Sequence, residues 1–232
     1  IQLGMPFSDP TAEGLVIQEA NIRALAKGVT TDKIFDMVRR IRKVSSVPLV
    51  FMTYANVVYS YGTVRFMENA RDAGMDGLIL PDVPFEEKEE FAGACRNCGL
   101  KFISLIAPTS KARIARIAAE AEGFVYCVSS LGVTGVRREI TTDTGEMVSL
   151  VKAQQEIPCA VGFGISTPEQ AAKIAATADG VIVGSAIVKI CAAFGPFILG
   201  LLVGSGDAAT FAFNEAITPH AADFGMTPVQ MG

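Results

Sequence analysis

Ala160-Val161-Gly162-Phe163-Gly164-Ile165-Ser166-Thr167-Pro168-Glu169 carries three signals in succession: an apolar run, a glycine-bearing turn and a helix start. The run shows no polar alternation, as in a strand buried on both faces of a parallel sheet. Thr167 is an N-cap candidate, Pro168 takes the first helical position and Glu169 follows, an order in which helices commonly begin. The same texture recurs along the chain. Apolar runs lie at Pro48–Met52, Gly77–Leu80, Phe102–Ile106, Phe124–Val128 and Gly180–Val183. With Ile1-Gln2-Leu3 they make seven strand candidates. Amphipathic segments separate them. Thr31 to Val44 sets Ile34, Met37, Val38 and Ile41 on one face and Arg and Lys on the other, and Ser110 to Ala121 opens on a serine cap candidate. Such βα alternation builds either a barrel or a doubly wound open sheet.

The loops separate these two folds. GMPFSDP, TYANVV, PDVP, APTS, SSLGVTG, GFGIS and GSAIV follow nearly every strand. Polar or glycine-rich loops at successive strand ends describe the active face of a (β/α)8 barrel, whereas an open sheet gathers them at one switch point. The expected fold is an α/β TIM barrel over residues 1–190, its first strand and helix missing from the N-terminus. The start lacks an initiator Met and a secretory pattern, which suggests a chain that begins inside a longer product. After Lys189 the texture changes: residues 192–232 hold no Lys or Arg and three acids, Asp207, Glu215 and Asp223. Residues 191–232 are expected to be an atypical apolar tail outside the barrel. Its apolar run is shorter than the ~18 residues that span a bilayer, and no membrane role is expected for residues 1–190.

Composition removes several classes of function. Twenty-four acids against 20 bases give a net charge of −4 and a pI near 5.1, unlike a nucleic-acid binder with its basic face. One histidine, His220, leaves no material for a histidine-based triad or metal cage. Five scattered cysteines fit a reducing compartment, so a cytoplasmic location is expected. Cys95-x-x-Cys98 has no second pair to complete a zinc site, and no metal is expected.

Three glycine turns carry the strongest chemical signal: Gly132-Val133-Thr134-Gly135, Gly162-Phe163-Gly164-Ile165-Ser166 and Gly184-Ser185-Ala186-Ile187-Val188. Glycine lets backbone N–H groups converge on an anion without interfering Cβ atoms. The third turn opens a short helix, whose N-terminus attracts negative charge. Barrel enzymes often bind phosphate with the loops after strands seven and eight, so phosphate is the expected ligand group. In the first loop, Asp9 and Glu13 follow a buried strand, where an acid can meet substrate, though Asp9-Pro10 also reads as turn chemistry. Tyr126 reads as core filler or pocket wall. Asp82, between two prolines, reads as a rigid corner or a partner-facing acid.

LGMPFSDPTAEG, MTYAN, LPDVP, APTS, YCVSSLGVTG, VGFGIST and GSAIVKI, in this order, resemble the α subunit of tryptophan synthase over residues 1 to about 190. The resemblance implies a (β/α)8 lyase of tryptophan biosynthesis that cleaves indole-3-glycerol phosphate to indole and glyceraldehyde 3-phosphate. It implies a β subunit in an α2β2 assembly, which receives indole through a tunnel and holds the pyridoxal phosphate; the α chain itself takes no cofactor. Carried over by motif, the phosphate would rest on Gly135, Gly164, Gly184 and Ser185. Phe163 and Tyr126 would line the pocket, with Met52 and Tyr54 nearby. Thr134 would steer the closing loop, and Asp9 and Asp82 would face the β subunit.

The sequence departs from the family pattern at both catalytic carboxylates. Gln2 occupies the position of the family's general acid/base Glu, and Glu13 that of an Asp which contacts the indole nitrogen. Ser130-Leu131 stands where the family commonly has an Arg in its mobile loop. An amide cannot exchange a proton near neutral pH, so the cleavage activity expected of this chain is reduced. Two alternatives follow: a non-catalytic subunit that binds the phosphate ligand and activates a β partner, or another phosphate-binding barrel isomerase. In the tail, GPFILGLLVGSGDAATFAFNEAITPHA resembles an interior piece of an anaerobic C4-dicarboxylate transporter, with its glycine-interrupted apolar segments.

Overall fold

A computed structural model of the 232-residue chain describes residues 1–129, 144–162 and 164–192. The chain divides into two compact units, Ile1–Val183 and Gly184–Gly232. In the second, the described part is a helix over 185–192 that begins with the Val188 N–H donating to Gly184 O at 3.0 Å.

The first unit alternates strands and helices. Its elements are β1 (Gln2–Gly4), α1 (Leu15–Ala26), α2 (Thr31–Arg42), β2 (Val50–Met52), α3 (Ala55–Tyr61), α4 (Thr63–Ala73) and β3 (Gly77–Ile79). A single 3-10 turn (Phe85–Glu87) precedes α5 (Glu89–Asn97), β4 (Lys101–Phe102), β5 (Ser104–Ile106), α6 (Lys111–Ala119) and β6 (Val125–Val128). Then come α7 (Thr144–Lys152), β7 (Cys159–Gly162), α8 (Pro168–Ala175) and β8 (Gly180–Ile182). Every neighbouring pair is parallel. β4 and β5 are two pieces of one strand: the intervening Ile103 N–H still donates to Leu78 O at 2.9 Å. The seven expected strands are therefore all present.

Register separates inner from outer side chains. Gln2, Val50 and Gly77 are cross-strand partners, as are Tyr126 and Ala160, then Gly162 and Ile182. Alternation sends their neighbours the other way. The outward set, Leu3, Phe51, Leu78 and Phe102, packs with Ile34, Phe35 and Val38 of α2 and Phe66 and Met67 of α4. There Phe35 meets Phe51 and Phe66 edge-on, with ring centroids 5.8 and 5.4 Å apart. Farther along the sheet, outward Ile106, Val125, Cys127, Cys159 and Val161 pack on Ile114, Met147, Val151 and Ile174. The inward set forms a third core: Ile79, Ile103, Tyr126 and Val128, with Val50 and Ile182 against it. Residues of β2 and β8, far apart in strand order, thus share one cluster, which requires the sheet to curl into a barrel.

The helix signals hold where local chemistry dictates them. Ser110 Oγ accepts from the Arg113 N–H at 3.3 Å, and Thr167 with Gln170 completes a capping box before Pro168. α2 stops at Arg42 rather than at Val44. There the Val44 and Ser45 N–H groups both donate to Ile41 O, and Val44 is left exposed.

Two similar clamps tie strand starts together. Asp76, just before β3, accepts from the Leu49 N–H ahead of β2 and from Arg42 Nη2, both at 2.7 Å. Asp179, just before β8, accepts from the Cys159 N–H that opens β7 at 2.9 Å and from Lys152 at 2.8 Å.

Candidate active site

The site is built where strands end and loops begin, the catalytic face of α/β barrels. Gln2 faces the interior, its amide nitrogen directed at Met52 Sδ. Its Oε1 is buried without a hydrogen-bond partner among the described residues. An unmatched buried carbonyl oxygen is costly, and it is available to a donor entering the pocket. Thr53 Oγ1, in the next chain segment, is likewise buried and unmatched; nothing in the sequence singled this residue out.

Residues 5–14 continue β1 and fold back over the start of α3. Met5 N–H donates to Met52 O at 3.0 Å and its side chain is buried. The rings of Phe7 and Tyr54 lie 5.2 Å apart, and the Ala12 N–H donates to Tyr54 Oη at 3.2 Å. Burial, with smaller repulsion from Glu13 and Asp82, pushes the Tyr54 hydroxyl up to about 12, so it stays a neutral acceptor for that amide. Glu13 is 9% exposed and accepts from Asn21 Nδ2 at 2.7 Å. Burial raises its pKa above the ordinary value and the Asn21 bond partly opposes this. Glu13 is thus a recessed carboxylate, which loop chemistry alone did not indicate. Asn21 and Gln18, its neighbours from α1, were also missed. The available signal was two amides three residues apart in LVIQEANIRALA.

Asp82 and Asp9 are both exposed. Asp82 takes the Ala55 N–H on both carboxylate oxygens, at 3.1 and 3.0 Å, and so caps α3, whose own N-cap residue Tyr54 supplies no side-chain cap. The rigid-corner reading of this acid therefore has a physical basis within the chain. Asp9 is bonded by the hydroxyl of its neighbour Ser8.

Tyr126 is inward and 5% exposed, its hydroxyl held up to about 12 by burial. Gly162 lies against it: a Cβ there would sit 2.5 Å from Tyr126 Oη and 3.0 Å from Ile182 Cβ. Only glycine leaves the tyrosine its place. Gly164 has φ +87°, a left-handed conformation suited to glycine. Gly184 is exposed, with nothing among the described residues near where a Cβ would stand, and Ser185 begins the helix over 185–192. Thr134, Gly135 and Phe163 lie outside the described residues, as does Ser130-Leu131.

A cavity of about 590 Å³ opens beyond the ends of β3, β5 and β6, between interior Ile103, Leu105 and Val128, loop residues Ala12 and Pro81, and the outer Phe85. Among the described residues no group of three His, Cys, Asp or Glu could hold a metal ion, and no helix is long and apolar enough to cross a membrane.

Residues 1–195 match the family model of the tryptophan synthase alpha chain. The tryptophan synthase alpha chain of Caldanaerobacter subterraneus subsp. tengcongensis is 49% identical over 189 residues, 82% of this chain and 72% of that one. The alpha chain of Shouchella clausii is 50% identical over 190 residues, again 82% of this chain and 71% of its own. Among solved structures, the alpha subunit from Campylobacter jejuni superposes with a TM-score of 0.73 at 34% identity, covering 81% of this chain and 75% of that one. A Pyrococcus furiosus structure, described as the a2b2 complex of tryptophan synthase, reaches 0.73 at 35% identity and covers 93% of this chain and 84% of its own. These neighbours share the barrel architecture described above. With a curled parallel sheet, loops gathered at its strand ends and this extent of identity, the chain belongs to the tryptophan synthase alpha chain family.

Proposed function

We propose that this chain binds indole-3-glycerol phosphate at the open end of its barrel and carries out the family's carbon–carbon cleavage slowly, because Gln2 stands where a proton carrier is needed. Cleavage moves one proton from a glycerol hydroxyl to the indole ring carbon. The bond between ring and side chain breaks, the hydroxyl carbon becomes the aldehyde of glyceraldehyde 3-phosphate, and indole leaves. Gln2 reaches the interior and can accept a hydrogen bond through its unmatched Oε1, but an amide cannot take up and return the proton. Glu13 would hold the indole N–H and stabilise positive charge developing on the ring. Gly135, Gly164, Gly184 and Ser185 would cradle the phosphate, with Tyr126, Phe163 and Tyr54 around the substrate and Thr134 steering the closing loop. In this reading Asp9 and Asp82 face a β subunit that holds the pyridoxal phosphate, the assembly is cytoplasmic, and the α chain needs no cofactor of its own.

The single observation behind the reduced rate is the inward Gln2 amide, whose Oε1 is buried. It equally favours a second reading, a subunit that binds the phosphate ligand and activates its β partner without cleavage. Turnover of indole-3-glycerol phosphate, with and without a β subunit, tests both. Gln2→Glu is expected to raise the rate by about 10²–10⁴-fold, the usual contribution of a general acid/base. Unaltered protein that already turns over at the variant's rate would remove Gln2 from any part in proton transfer. If Gln2→Glu fails to restore cleavage while ligand binding persists, the binding-subunit reading is the one that survives.

A further inference from the structure

We infer that Asn21 and Gln18 are positioning residues for Glu13, so that helix α1 rather than the loop sets where the site's carboxylate stands. The inference rests on the proposed contact between Glu13 and the indole nitrogen. The geometry is specific. Asn21 Nδ2 donates to Glu13 Oε2 at 2.7 Å, and Gln18 Nε2 donates to the Glu13 backbone carbonyl at 2.6 Å. Three residues apart on a helix, the two amides share a face, and together they grip the side chain and the backbone of one residue.

α1 also inverts the usual preference. Asn21 is its one buried residue, at 8% exposure, while Leu15 and Ile22 are 75% and 64% exposed. Burying an amide is unfavourable unless its hydrogen bonds are made. Here the bond goes to a recessed carboxylate whose Oε2 has no other donor among the described residues. Removing Asn21 therefore acts on Glu13 in two ways: it frees the carboxylate to rotate, and it withdraws the one bond that favours its ionised form. The titratable group facing Glu13 from the turn before α3 is Tyr54, and Asp82 faces Tyr54 from the loop after β3.

The test uses the full chain with Asn21→Asp, which preserves shape but substitutes an acid for the donor. Two readouts are needed: the ¹³C carboxyl titration of Glu13, assigned with Glu13→Gln, and calorimetric affinity at neutral pH. The probes are an indole carrying an alkyl phosphate tail and its N-methyl analogue. We expect the Glu13 titration to move to higher pH and affinity for the N–H probe to fall about tenfold, as for a lost hydrogen bond to a charged group. The N-methyl analogue should change little, which a general loosening of the fold would not produce. An unmoved Glu13 titration, or unchanged affinity for the N–H probe, overturns the inference. Should Asn21→Asp fail to fold, Gln18→Met removes the backbone grip alone. It should still weaken the N–H probe selectively, and equal loss for both probes counts against positioning. If wild-type protein binds neither probe while Asn21→Asp shifts the Glu13 titration, the substrate reading fails and the hold of Asn21 on Glu13 stands.

Discussion

Glu13 shows how burying one ionisable side chain bears on stability. Its folded-state pKa lies above the ordinary value of 4.5 because burial disfavours the charge more than Asn21 supports it. The folded state therefore holds the proton more tightly than the unfolded chain. Between the ordinary pKa and the raised one, stability falls as pH rises, and the deficit persists at neutral pH. Glu13→Gln keeps an acceptor for Asn21 and removes the charge. It is expected to raise Tm at pH 7 relative to wild type, with the difference shrinking below about pH 4.5. A variant that melts lower than wild type at pH 7 and equally at pH 4 would contradict this. The same variant should bind the indole N–H less well, since a neutral amide is a weaker acceptor than a carboxylate.

Among the elements, the strand starts carry their own fastening, separate from the chemistry at the opposite end. Asp76 and Asp179 each bridge the backbone N–H of the preceding strand's start and a cation from the helix before it. The Lys152 ammonium and the Cys159 amide hold the Asp179 carboxyl below its ordinary 3.8. A depressed carboxyl contributes stability above its unfolded pKa and loses it as pH falls through the folded value. Asp179→Asn should therefore lower Tm at neutral pH, and the gap between variant and wild type should close below pH 3.8. Ligand affinity should be unchanged, because this end of the barrel is remote from the loops that would meet substrate. A gap of constant size across the acid range would show that the charge is not what Asp179 contributes.

At the largest scale, within residues 1–183, the described residues form two helix-facing cores and one interior core, separated by a single parallel sheet. The interior core reaches the strand ends at Ile79 and Val128, and the cavity lined by Ala12, Leu105 and Val128 opens beyond them. Backbone amides at the glycine turns of the proposed cradle would bind an anion without displacing this packing. Inorganic phosphate is accordingly expected to raise the Tm of the full chain with the logarithmic concentration dependence of a ligand that binds only the folded state. An equal rise with chloride at matched ionic strength would mean that general salt effects, rather than a phosphate cradle, account for it.

Much of this protein followed from local chemistry. Apolar runs without alternation mark strands covered on both sides, and Ser110 and Thr167 cap the helices their positions announce, because both effects act within a few residues. The order of the motifs pointed to the family, and the resemblance set the Gln2 amide where the family pattern expects a carboxylate. Periodicity could not say which side of each strand faces inward. Register supplied that, placing Gln2, Tyr126 and Gly162 inside and Leu3, Phe51 and Cys127 outside. Nor could spacing reveal that Asp82 caps α3 from 27 residues away, or that Tyr54 holds Ala12 across 42. Those contacts exist because the curled sheet brings successive strand ends together, and proximity created by folding over long sequence separations leaves no local pattern to read.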